Sequence, residues 1–350
     1  MHSVSRPIQI LLVLLSALLL LYPLFGEALA GNAYDYWLQK MTTVMILAIL
    51  AVSLDLLVGV AGMVSIAHAA FFGLAGYTVV LVAPEWEPGN LWILLPAALV
   101  IAALASLVMG LLIIRTSGIF FIMATIAFSQ MIYYIFHDSD FAGGSDGAYL
   151  FSTPETMVMG RSLLDLGDRL TLFYVTLISL LLIYLLLRIV LRAPFGRVLI
   201  GIRENEQRVR ALGYNPSFYK LSAFVIGGTI AGFAGVLSAI QYQYIDPSQV
   251  NWHLSAEVLV MVILGGLGSL YGPILGAFAF EGLHYTFSSF TRHWQLPMGI
   301  VVIVMVLMLP RGIAGGLEWL SERLGRRFEA PAPSARKPTE EHRAAEQHND

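Results

Sequence analysis

The chain has 350 residues, of which 57% are hydrophobic and 12% charged, with a mean hydropathy of +0.75. An ordinary water-soluble domain is roughly 45–50% apolar, so this composition places the chain in a bilayer. A net charge of −3 and an isoelectric point near 6.2 give no sign of a nucleic-acid partner, and the absence of cysteine excludes disulfides, thiolate metal ligands and cysteine nucleophiles.

A helix needs about 17–25 apolar residues to cross roughly 30 Å of hydrocarbon, because lipid offers backbone amides no partner. In chain order there are ten candidate segments: 8–25, 41–60, 63–83, 91–114, 118–136, 170–191, 219–244, 254–269, 273–289 and 297–309. The fold class they predict is an all-α polytopic membrane protein with about ten transmembrane helices. The last three segments are short and glycine-broken, as tilted, re-entrant or half-helices are. Arg6, the first apolar run and "ALAGN" at 28–32 look like a signal peptide. An 18-residue run is long for that purpose, so a retained span is expected; cleavage would leave nine.

With the N-terminus inside, sixteen of the twenty Lys and Arg residues fall on the cytoplasmic side and four outside, the asymmetry expected of a membrane protein so oriented. The resulting organisation is a cytoplasmic N-terminus (1–7), a transmembrane domain (8–310) and a cytoplasmic tail (311–350). Within the membrane domain, 137–169 forms an outside loop containing "GGSDG", and 192–218 forms a charged cytoplasmic loop. Residues 326–350, rich in Ala, Pro, Glu and Arg, have little to bury and are expected to be disordered.

Chemical signatures are few. The sequence has no GxxxxGK[ST], GxGxxG or HExxH, so no nucleotide or zinc site is predicted, nor any metal site. Polar residues inside spans are the remaining candidates for a pathway. Asp55 is either a cavity-lining or helix-pinning group, or an interfacial acid. Ser65 and His68 are expected one turn apart on a glycine-rich helix, and Thr125, Ser129 and Gln130 share another. Each of these sets suits either a pathway or interhelical hydrogen bonding. Glu257, Glu281 and His284 fall toward the outside, where a proton relay or simple solvation would account for them. "GVAG" at 59–62 and "GGLG" at 265–268 form a weak internal echo at two inside turns.

Residues 198–212 read as one amphipathic surface helix. Val198, Leu199, Ile202, Val209 and Leu212 recur at helical intervals, while Arg203, Glu204, Glu206, Arg208 and Arg210 cover the other side. Gly213 is placed as a helix-ending glycine and Pro216 blocks continuation. Interspersed acids and bases suit a protein partner better than anionic lipid.

"GRVLIGIRENEQRVRALGYNPSFYKLSAFVIGGTIAGFAGVL", "LLVGVAGMVSIAHAAFFGLAGYT", "GIFFIMATIAFSQM", "GGSDG" and "VILGGLGSLYGPILGA", in their order and spacing, resemble the LivM-type permease subunits of branched-chain amino acid ABC transporters. The resemblance implies a transport subunit that is not itself an enzyme, moving hydrophobic amino acids by alternating access in the bacterial cytoplasmic membrane. It implies a second homologous permease, two ATPase subunits that bind ATP and Mg, and a periplasmic or lipid-anchored binding protein, with no cofactor in this chain. It also marks Arg203, Glu204, Glu206, Arg208, Ala211 and Gly213 as the coupling element, with Glu204, Ala211 and Gly213 nearest to the importers' EAA-x-x-x-G loop. Asp55, Ser65, His68, Thr125 and Gln130 are the candidate pathway residues. Relatives often carry amides where this chain has Asp55 and Met63, and some move urea, short amides or aromatic acids. A proton-coupled secondary transporter is the alternative from another class.

Overall fold

The computed structural model describes residues 14–23, 25–26, 31–84, 87–158, 161–309 and 311–319. The N-terminal segment 1–7, most of the cleavage-like stretch and the 326–350 tail for which disorder is expected lie outside these residues. A helix apolar on every side belongs in the interior, and α2 (Tyr34–Asp55) is the clearest case. It continues through a π-helical turn (Leu56–Ala61), and from Val44 to Ala61 every residue except Leu47 is buried. Around this rod pack α6 (Arg169–Arg192), α9 (Pro216–Tyr242), α10 (Trp252–Gly265) and α11 (Gly272–Phe290).

The opposite pattern marks the periphery. Leu104, Val108 and Leu111 of α4 (Leu91–Ile113), Phe120 of α5 (Ile119–His137), and Leu182 and Ile189 of α6 are all exposed, which is stable only with hydrocarbon outside. Among the described residues five helices are long and apolar enough to span a bilayer. There are six if α12 (Gln295–Met308) and α13 (Gly312–Trp319), bent by 42°, are one span. The other predicted spans correspond to shorter or more polar helices: α1 (Leu14–Pro23), α3 (His68–Val82), α10 and α11. At one end of the bundle, the hairpin end, β1 (Ala148–Tyr149) pairs antiparallel with β4 (Tyr244–Ile245), and β2 (Glu155–Val158) with β3 (Arg161–Asp165). The other, the arginine end, carries α7 (Pro194–Glu204) and α8 (Glu206–Ala211).

Small residues set the closest packing. Gly228, Gly232 and Gly235 recur on one face of α9, which lies against α3 and α4. A methyl at 228 would meet Ser106 and Phe71, at 232 Ala102 and Ala75, and at 235 the Phe72 carbonyl. Because lipid supplies little hydrophobic drive between helices, such close approach and its dispersion contacts hold the group together. Gly235→Val forces main chain rather than a flexible side chain to move, and overpacking of this kind costs about 1–3 kcal/mol; thermal unfolding of the purified protein in detergent should register that loss.

The hairpin end begins α6 with a defined cap. Asp168 accepts from the Thr171 hydroxyl at 2.8 Å, and from the Thr171 and Leu170 amides at 3.0 and 3.4 Å. These bonds, the Thr171 hydroxyl foremost, hold its carboxyl below the ordinary value. A depressed folded-state pKa means the cap is fully present above the ordinary carboxylate range and is lost as pH falls through the folded value. Asp168→Ala should therefore cost about 1 kcal/mol at neutral pH, and the difference from wild type in a thermal unfolding series should close as the buffer is acidified.

Candidate functional site

At 1.5 Å per residue, the 15 residues of α3 and 14 of α10 reach only about 21–22 Å, short of roughly 30 Å of hydrocarbon. Both are completed by non-helical backbone. The chain turns at Gly62 (φ +73°), runs back through residues 63–67 and starts α3 at His68. In the second case it passes from β4 through a 3₁₀ turn (Pro247–Val250) into α10. Irregular backbone at this depth survives only where its polar groups find partners, and hydroxyls supply them. Thr125 accepts from the Ile66 amide at 3.2 Å, Ser65 from Ala67 at 3.3 Å, and Ser255 from Ala69 at 2.8 Å, while Ser129 donates to the Val250 carbonyl at 3.1 Å.

The Ala69–Ser255 bond brings the N-termini of α3 and α10 together beside Ser129, midway along α5. Two helix N-termini meeting inside the membrane concentrate partial positive charge. His68 is wholly buried alongside, edge-on to Phe71 and next to Gly227, with the Ser53 carbonyl as the neighbour of its ring; among the described residues neither ring nitrogen has a partner in full hydrogen-bond geometry.

The second assembly lies at the arginine end. Asp55, wholly buried, accepts from the Gly268 amide at 2.7 Å and the Leu270 amide at 3.1 Å. It thereby holds a turn whose Gly266, Gly268 and Leu270 all have positive φ. Gly59, in the π turn, lies so close to Gly268 that a methyl there would overlap its main chain. Arg203 reaches from α7 and donates to the Gly59 carbonyl. The two glycine turns of the sequence echo therefore meet, and one arginine of the charged loop reaches them both.

That loop is two helices, not the single helix expected over 198–212. Asn205 takes extended geometry (φ −158°, ψ 100°), ends α7 and caps α8 by accepting from the Arg208 amide at 2.9 Å. Bonding of this kind by a short polar side chain competes with continuing the helix. Leu199, Ile202 and Val209 are buried as the periodicity predicts, but Leu212 is 71% exposed because α8 ends before it. Gly213 has φ +89° and donates to the Arg210 carbonyl, a helix-ending geometry that favours glycine. Arg203, Glu204, Arg208, Arg210, Ala211 and Gly213 are exposed, whereas Glu206 is half-buried and bonded to Lys220 at 2.5 Å and Arg210 at 3.1 Å.

The pathway candidates thus divide. Ser65, His68 and Thr125 gather at the junction of α3 and α10; Ser65 precedes the helix rather than lying on it, as its amide-bonding role requires. Gln130 is half-buried beside Ser129. Asp55 pins the 266–270 turn. Glu281 pairs with Lys40 at 2.5 Å and lies 3.7 Å from His284. Ser255 and the Val250 carbonyl were missed, because neither residue type stands out without its partner in space.

Asp55→Ala would strand two buried amides, a loss of about 2–4 kcal/mol, while Asp55→Asn retains one acceptor and should lose about half as much. Chemical unfolding of the two purified variants measures the pair; equal stability to wild type would remove the clasp assigned to this carboxylate.

The permease component of branched-chain amino acid transport systems matches residues 36–309 as a family model. The chain is 29% identical over 295 residues to the high-affinity branched-chain amino acid transport permease LivM of Escherichia coli (strain K12), covering 78% of this chain and 68% of that protein. It is 25% identical over 303 residues to the LivH permease of the same organism, covering 81% and 97%. It is also 33% identical over 96 residues to the autoinducer 2 import permease LsrC of Photorhabdus laumondii, covering 26% and 28%. No solved structure matches the chain. A family match across the interrupted spans, the Asp55 clasp and the paired helices α7 and α8 makes this chain a member of the branched-chain amino acid transport permease family.

Proposed function

We propose that the chain lines the pathway of an ATP-driven importer of branched-chain amino acids, with α7 and α8 as the element on which a separate ATPase acts. The observation that carries this reading is the covalent and hydrogen-bonded route from an exposed charged loop to the interrupted spans: Arg203 bonds Gly59, Gly59 abuts Gly268, and Asp55 holds Gly268. The Lys and Arg bias supports an arginine end that faces the cytoplasm and a 137–169 loop that lies outside. Leu212, Tyr214 and Phe218, all exposed, supply apolar surface for a docked ATPase, and Glu204, Arg208 and Arg210 expose charge on the same loop.

In this mechanism, closure of the ATPase pair pushes α7 and α8, and Arg203 conveys the displacement to the two glycine turns. The α3–α10 junction then opens alternately to either side. An amino-acid carboxylate suits two converging helix N-termini, and weak binding there favours release, leaving selectivity to a delivery protein. The longer matches carry branched-chain amino acid transport in their names, which favours that cargo. A second homologous permease completes the pathway.

Glu204→Lys and Gly213→Asp should each lower substrate-stimulated ATP hydrolysis of the co-purified complex by about fivefold or more, as expected when 1–3 kcal/mol of coupling is lost, with insertion into the membrane unchanged. Normal coupled turnover in both variants would overturn the assignment. Uptake that stops under an uncoupler while ATP is maintained would instead indicate a proton-driven carrier.

A further inference from the structure

At the arginine end a cavity of about 850 Å³ opens between α6, α10, α12 and α13. Its rim carries Arg188, Arg192, Arg203 and Arg311 against one acid, Glu318, which accepts from the Tyr271 hydroxyl at 2.8 Å. Among the described residues, Arg188, Arg192 and Arg311 form no ion pair with any carboxylate. Arg203 is engaged by the Gly59 carbonyl, which leaves Arg188, Arg192 and Arg311 in the lining; like charges lining one opening are best relieved by an anion, and the planar guanidinium fork matches phosphate oxygens two at a time.

The remainder of the wall has a different chemistry. Ile263, Val302, Met305, Val306 and Leu309 supply an apolar side to the lining, and Leu185 and Ile189 of α6 and Ile303 and Leu307 of α12 are exposed apolar residues on the same helices. Cationic at the interface and greasy toward the membrane centre, the cavity has the polarity of a phospholipid, and its volume lies within the usual range for ligand sites. Free phosphate would satisfy the rim but leave the apolar wall unfilled.

We propose that this cavity binds an anionic phospholipid, its phosphate held by Arg188, Arg192 and Arg311 and its acyl chains lying along α12. Basic pockets between membrane helices on the cytoplasmic side have the chemistry for such headgroups. Binding here stands apart from transport: it requires neither the coupling role of α8 nor any cargo.

The test uses the full chain with its co-purifying subunits, exposed in detergent to equal amounts of phosphatidylglycerol and phosphatidylcholine and weighed by native mass spectrometry. Wild type should retain phosphatidylglycerol preferentially, and the Arg188→Gln/Arg192→Gln double variant should bind it about tenfold more weakly, while Arg292→Gln at the other end retains it. Should the double variant fail to fold, hydrogen exchange at residues 264–271 of wild type must slow in vesicles containing phosphatidylglycerol relative to phosphatidylcholine alone. Equal retention by wild type and double variant, or unchanged exchange, overturns the proposal. Displacement by millimolar inorganic phosphate with no lipid preference assigns the rim to free phosphate. Lipid binding only after the chain is ended at Trp319 assigns the cavity to residues 320–350; either result also overturns it.

Discussion

One buried carboxylate fixes the relation between distant parts of the chain. Asp55 accepts from amides 213 and 215 residues further on, tying the central rod to the turn between α10 and α11. The turn it grips leads out of α10 and into α11, and the π turn beyond Asp55 touches both that turn and Arg203. A carboxylate buried in this way is stable because main-chain donors replace the water it has lost. The same amides would otherwise be among the orphaned donors that a membrane interior tolerates least.

The rule that buried backbone must be bonded also explains the distribution of hydroxyls. Thr125 and Ser129 on α5, Ser255 on α10 and Ser65 before α3 each meet an amide or carbonyl beside a break in helical geometry, one that a continuous helix would have bonded internally. Hydropathy made the spans of α4, α5, α6 and α9 legible because it measures what they show to lipid. The short, glycine-broken 254–269 already pointed to a half-helix at α10, but the length and hydropathy of 63–83 hid the interruption before α3, which depends on partners on other helices. For the same reason Asp55 remained open between pinning and interfacial solvation until Gly268 was brought beside it.

Local chemistry was more readable than long-range chemistry. Gly213 and Pro216 end one helix and begin the next as their backbone preferences require. The break at Asn205 also had a signal in the sequence: an asparagine leading into a glutamate and a helical run is a helix start. The unbroken apolar period around it masked that signal, and with it the separation of α7, packed onto the core, from α8, which stands outward.

The π turn at Leu56–Ala61 gives the arrangement a mechanical property. A π turn holds more residues per revolution than an α-helix, so returning it to α geometry would rotate the downstream backbone by roughly 100° for each residue displaced. The Gly59 carbonyl would swing away from the guanidinium that now holds it, and Gly59 would leave the flat contact with Gly268. Winding in the central rod and the seat of α7 therefore meet at a single carbonyl, that of Gly59.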